Sequence, residues 1–205
     1  MNTLKTSFHF SGTLLQQGYH YVGYRALLDQ LMSEGKTTGP NQSDSMLHYA
    51  KLNLRRMQRL EKTFSPDTEI QQAAQSIGQE LIWVILTEGW CGDAAQSLPI
   101  IEIIAQLSPN IETRYLLRDE NLPVMDQYLT DGGRSIPKLI CVRKSDWVEL
   151  GTWGPRPAVL QAQFKQMKSD GLPYPAISEA LHKWYAKDKG AAIQAEFAHL
   201  LTLWA

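Results

Sequence analysis

One cysteine, Cys91, stands in the stretch Thr87-Glu-Gly-Trp-Cys-Gly-Asp93, directly after the apolar run Leu81-Ile-Trp-Val-Ile-Leu86 and before helical apolar spacing from Ala94 onward. At a strand end that opens a helix, unpaired backbone N–H groups and the positive end of the helix dipole favour an anion. Such placement lowers a thiol's pKa, toward the range of roughly 3.5 to 7.5 in which reactive cysteines titrate. The chemistry it suggests is nucleophilic attack by a thiolate on a disulfide sulfur. The competing reading is a small buried hydrophobe. Trp90 before the cysteine and Gly92 after it argue for a shaped, partly exposed turn.

The neighbouring acids have two readings each. The Asp93 carboxylate could cap the helix or, if close to the sulfur, raise the thiol pKa. Glu88 is a second candidate modulator or simply an exposed turn residue. Cys141 falls inside an apolar strand and reads as a core residue, away from the Cys91 end. His9, His20, His48, His182 and His199 are scattered, with no ligand spacing to one another or to Cys91, so neither a metal site nor a cofactor is expected. No glycine-rich phosphate loop follows a strand, and no serine sits in a nucleophile elbow.

The elements that must position Cys91 follow from periodicity. Leu81–Leu86, uninterrupted and rich in β-branched and aromatic residues, predicts a central parallel strand covered on both faces. The spacing of Leu98, Ile101, Ile104 and Ala105 predicts a helix to Leu107. Strand 111–117, a short helix 122–129, and strands 137–143 and 148–152 joined by Lys144-Ser-Asp146 continue an α/β pattern closed by an antiparallel hairpin. A helix runs from Arg156 to Met167, and Gly171-Leu-Pro-Tyr-Pro175 is a linker. Helices are expected at 21–32, 45–62 and 66–77 before the sheet, and two more in the tail, broken near Lys189-Gly190.

Trp90-Cys-Gly-Asp-Ala94 resembles the thioredoxin active-site sequence Trp-Cys-Gly-Pro-Cys in the same strand-to-helix context. Gly133-Arg-Ser-Ile-Pro-Lys-Leu-Ile140 is similar to that family's Ile-Pro-Thr segment, whose proline is cis and faces the active-site cysteine. Gly154 matches a family glycine before the last helix. The resemblance spans roughly 81–168 and implies an α/β thioredoxin-like fold, a central mixed sheet flanked by helices. The domain is placed at 79–170, with helical extensions at 1–78 and 171–205. By the same resemblance Cys91 is the nucleophile, and Trp90, Gly92, Ile136 and Pro137 frame the substrate.

Two departures matter. The family's resolving cysteine corresponds to Ala94 and its buried acid to Ile85, so no intramolecular disulfide and no relay through that acid is available. What remains is either a monothiol thiol–disulfide oxidoreductase resolved by an external thiol, or a redox-inactive binding module that keeps the fold's groove. The first implies protein or small-molecule thiols and disulfides as partners.

Twenty Lys and Arg against 21 Asp and Glu give a net charge of -1, with 43% hydrophobic and 20% charged residues. That is the composition of a folded globular protein, with no global field to recruit nucleic acid or an anionic membrane. One basic cluster, Lys51, Arg55, Arg56, Arg59 and Lys62, reads as a solvated helix face or a patch for phosphates or an acidic surface. No 18-residue apolar run exists. The stretch Lys5 to Ser11, with Phe8, His9 and Phe10, is too polar and interrupted for a secretory signal. Two cysteines fit a reducing cytoplasm. The terminal helices, with Trp184, Tyr185, Phe197 and Trp204, are expected to pack on the domain or to offer a partner or homodimer surface.

Overall fold

All seven residues of strand β1 (Leu81–Thr87) are buried, as an unbroken β-branched and aromatic run requires. The computed structural model describes residues 12–205, so the readings made on Lys5 to Ser11 and on His9 lie outside the described residues. β1 pairs in parallel with β2 (Ile111–Leu117) on one side and antiparallel with β3 (Lys138–Arg143) on the other. β3 pairs antiparallel with β4 (Glu149–Trp153), giving the order β2-β1-β3-β4. Helices flank this mixed sheet, the α/β architecture expected from the alternation of elements.

Before the sheet come α1 (Gly12–Gln17), α2 (Tyr21–Ser33), α3 (Asp44–Thr63) and α4 (Thr68–Gln75). Helix α5 (Gly92–Ala105) follows β1, a 3-10 turn (Arg118–Glu120) and α6 (Leu122–Met125) follow β2, and α7 (Ala158–Ser169), α8 (Tyr174–Asp188) and α9 (Ala191–Trp204) close the chain. Asp67, the residue after Pro66, caps α4 by accepting from the Ile70 N–H at 3.0 Å. The break between α8 and α9 is made by Lys189 and Gly190, both left-handed, at φ +55° and +89°.

A single large apolar core joins the sheet to residues from α2, α3, α4, α5 and α9. Trp83 of β1 packs against Phe197 and Trp204 of α9, with ring centroids 5.3 and 5.9 Å apart. Tyr24 of α2 stacks on Tyr115 of β2 at 5.4 Å. A second, smaller cluster holds α8 to α7: Leu160, Ile177, Leu181 and Tyr185, with Phe164, Met167 and Trp184 against them. The tail aromatics are thus used in packing; Tyr185, Phe197 and Trp204 are buried. Among the described residues no helix is long and apolar enough to cross a membrane.

Candidate functional site

β1 ends at Thr87, and the chain turns through Glu88-Gly89-Trp90, where the Cys91 N–H donates to the Glu88 carbonyl at 3.1 Å. Cys91 itself caps α5: its Sγ accepts from the Ala94 N–H at 3.4 Å. The thiol in turn donates to the carbonyl oxygen of Ile136 at 3.2 Å. That short path from β1 to β3 brings Cys91, Ile136 and Pro137 together, and the Ile136–Pro137 peptide bond is cis. Gly154 backs this segment with φ +104°, and a Cβ there would stand 2.3 Å from the Pro137 oxygen, so no other residue fits.

The loop before α3, α3 itself and the segment after β2 clamp the turn. The Gly89 N–H donates to Thr38 Oγ1 at 2.8 Å, and Asn53 Nδ2 donates to the Gly89 carbonyl at 3.1 Å. Arg118 lies over the Trp90 ring, 4.8 Å from its centroid. Glu88 is fully buried, which corrects its reading as an exposed turn residue. One of its carboxylate oxygens accepts from the Asp119 N–H at 2.9 Å, while the other is buried without a partner. Burial pushes its pKa up, opposed by the groups that donate to it.

The thiol is not the exposed, activated group that its position at a helix start suggests. Cys91 is only 8% exposed, and its pKa is pushed up to about 12. Desolvation is the main cause and the Asp93 charge the second; the N–H groups of Ala94 and Asp93 and the Arg156 charge act the other way and lose. Helix-end stabilisation of an anion, of the order of 1 kcal/mol, is the smaller effect against burial. Asp93 does not cap α5. Its carboxylate accepts from Arg156 at 2.5 and 3.2 Å and from the Tyr185 hydroxyl at 2.9 Å, a pairing that spans α5, the segment before α7, and α8.

Helix α8 supplies the cover. The His182 ring lies on Gly92, where a Cβ would be 2.7 Å from its Cε1. Tyr174, Ser178 and Leu181 of the same helix face Met46 and Tyr49 of α3 across a cavity of about 150 Å³ whose floor is Trp90 to Asp93. Burial and the nearby Arg56 charge lower the His182 pKa to about 4, and its Nδ1 is shut from solvent without a partner. The histidines are therefore not all remote from Cys91, as their sequence spacing suggests: one joins its turn from 91 positions away.

Sequence reasoning missed His182, Tyr185 and Arg156, and read Arg56 only as part of a basic helix face or patch. The one signal available for the first two was their place beside Leu181 on the packed stripe of α8, where polar side chains need a reason. Among the described residues no group of three His, Cys, Asp or Glu could hold a metal ion. Cys141 is fully buried on β3, and burial raises its pKa to about 12. Both cysteines are free.

A family model described as thioredoxin matches residues 39–168, more than half of the chain and the whole of the sheet, the Cys91 turn, α5 and the Pro137 segment. The chain belongs to the thioredoxin family. Among solved structures, a protein of unknown function from Pseudomonas aeruginosa has the same fold, with a TM-score of 0.59 at 19% identity over 95% of this chain and 96% of that one. An HIV epitope-scaffold is similar at a TM-score of 0.57 and 17% identity, over 93% and 94% of the two chains. No curated protein matches. In this thioredoxin-family chain the family match stops short of α8, so the helix over Cys91 lies outside the shared segment.

Proposed function

We propose that this protein carries out thiol–disulfide exchange of the monothiol kind, with Cys91 as nucleophile and an external thiol as resolver. The observation that carries the reading is the placement of Sγ, 3.2 Å from the Ile136 carbonyl beside Pro137, at the head of α5 and on the floor of a cavity. Cys91 attacks one sulfur of a disulfide, the mixed disulfide forms, and the proton of the thiol leaves with the departing sulfur. Ala94 offers no second thiol, so a free thiol from solution must release the adduct. Trp90, Gly92, Ile136 and Pro137 shape the space. Burial, and after it the charge of Asp93 held by Arg156 and Tyr185, keeps the resting thiol neutral. A reducing cytoplasm is the compartment that suits this chemistry.

The burial of Cys91 favours a second reading, a thioredoxin-fold binding module without redox turnover. One experiment separates them: exchange activity with low-molecular-weight disulfides, measured for the natural chain, Cys91→Ser and Cys141→Ser. Loss of activity in Cys91→Ser alone supports exchange. Activity that survives Cys91→Ser, or none in the natural chain, sinks it in favour of the module.

A further inference from the structure

Access to Cys91 is through the cavity between α3 and α8. At about 150 Å³ it has the volume of a protein cavity that accommodates benzene, about six heavy atoms. The half of a disulfide that ends on Cys91 must lie in this space, and the leaving half must point out of it, because attack runs along the S–S axis. A cysteinyl half has six non-hydrogen atoms beyond its sulfur. A glutathionyl half or a protein loop has several times more and overfills this space.

Positive charge stands close behind the Gly92 side of the lining. Arg56 reaches toward the site, with Nη1 3.8 Å from where a Cβ on Gly92 would stand. That nitrogen donates to Asn53 Oδ1 at 2.7 Å, and among the described residues no carboxylate lies in ion-pair contact with Arg56. Arg59 on the next turn is a further cation; burial, and after it the repulsion from Arg59, presses against the Arg56 charge. The acid of the cavity, Asp93, is already engaged by Arg156 and Tyr185. His182 lines the cavity on the same side.

Building on the monothiol reading, we infer that the Cys91 cavity is a site for an amino-acid-sized thiol or disulfide bearing a carboxylate, which Arg56 recognises. Cys91–SH and R–S–S–R give Cys91–S–S–R and R–SH. One S–S bond breaks and one forms, the thiol proton ends on the departing sulfur, and no outside oxidant is consumed.

The test uses the full chain carrying Cys141→Ser. It is incubated with cystine, cystamine or glutathione disulfide at equal concentration, and adducts are followed by intact mass. Each rate is divided by that of the same chain unfolded in urea, which removes the reagents' own reactivity. The expected result is a cystine rate at least tenfold above that of glutathione disulfide and several-fold above that of cystamine, which lacks the carboxylates. Arg56→Gln should erase the cystine preference over cystamine; the three-reagent comparison on the unaltered Arg56 decides alone if that variant does not fold. Equal normalised rates for cystine and glutathione disulfide, or cystamine matching cystine, would overturn the site while leaving monothiol exchange standing. No adduct from any reagent on the folded chain, with ready labelling in urea, would remove the exchange reading itself.

Discussion

His182 and Gly92 are in contact without room for one more carbon: a methyl group on Gly92 would stand 2.7 Å from Cε1 and 3.0 Å from Nε2 of the imidazole. Gly92→Ala must therefore displace the ring, and α8 is expected to move away from the turn with it. Alanine favours the first turn of α5 by up to about 1 kcal/mol over glycine, so overall stability should change little. The alkylation rate of Cys91 should rise several-fold in a Cys141→Ser background. An unchanged rate would mean that the ring swings aside and the helix stays.

Proton linkage gives a second expectation. An ordinary thiol titrates near about 8.5, whereas Cys91 in the folded chain titrates at about 12. Between these values the unfolded chain has lost a proton that the folded chain keeps, so raising the pH favours unfolding. The contribution of the neutral buried thiol is complete below about pH 8.5 and is lost as pH rises toward 12. Urea unfolding of Cys141→Ser from pH 8 to 11 should show falling stability, and adding Cys91→Ala should flatten that fall. Cys141→Ser is the right background because Cys141 itself would add a slope of the same sign.

Asp93→Asn leaves the Arg156 guanidinium, whose side chain is 9% exposed, without its anion. Breaking one side of a well-buried ion pair costs about 3 kcal/mol. Urea denaturation should show a loss of that order. The Cys91 thiol should titrate lower, because the second-largest cause of its upward shift is removed. A stability change under about 1 kcal/mol would show that the pair is far better solvated than its geometry suggests.

Gly154→Ala places a Cβ 2.3 Å from the Pro137 carbonyl oxygen at φ +104°, and the obstacle is backbone, which cannot swing aside. Strain of about 3 kcal/mol is expected. The Ile136–Pro137 segment would have to shift and lengthen the 3.2 Å contact from Cys91 Sγ to the Ile136 oxygen. Thermal unfolding and the infrared S–H stretch of Cys91 report the two effects separately.

The sheet and most helices were legible because their signals are local. The apolar run of β1, the strand read at 111–117 and the apolar spacing of α5 each fall within a residue or two of the observed elements. The position of Cys91 at the head of α5 could be read from the local sequence, and the approach of Ile136 and Pro137 to it was implied by the resemblance to the thioredoxin family. Its environment could not. Part of the thiol's cover comes from α8, which lines the cavity over the turn and meets it through contacts distant in sequence, such as Asp93 with Tyr185, 92 positions apart. Glu88 reads as a polar turn residue until the Thr37–Thr38 segment and Asp119 are folded over it. Local sequence states what a residue is; burial by a distant helix decides what it does.

Leu181 and Trp204 sit in different apolar clusters, and truncating each should have a different result. Trp204→Ala opens the main core and should cost about 3–5 kcal/mol of global stability. It should leave Cys91 alkylation below the unfolding transition nearly unchanged. Leu181→Ala should cost less, about 2 kcal/mol, and speed alkylation several-fold. Reversal of this pattern would mean that the two clusters unfold as one.

The separate α7–α8 cluster turns reactivity at Cys91 into a report on a sub-global equilibrium. A unit with its own small apolar core, jointed at the left-handed Gly171 between its helices and ended by the left-handed Lys189-Gly190, is expected to detach while the sheet stays intact. The thiol is then silent or available according to the opening free energy of one helical hairpin. Evolution could tune that quantity through a few side chains on α8 with no change to the residues around the sulfur. Chains that share the Trp-Cys-Gly turn can therefore differ widely in thiol behaviour for reasons that the turn itself does not record.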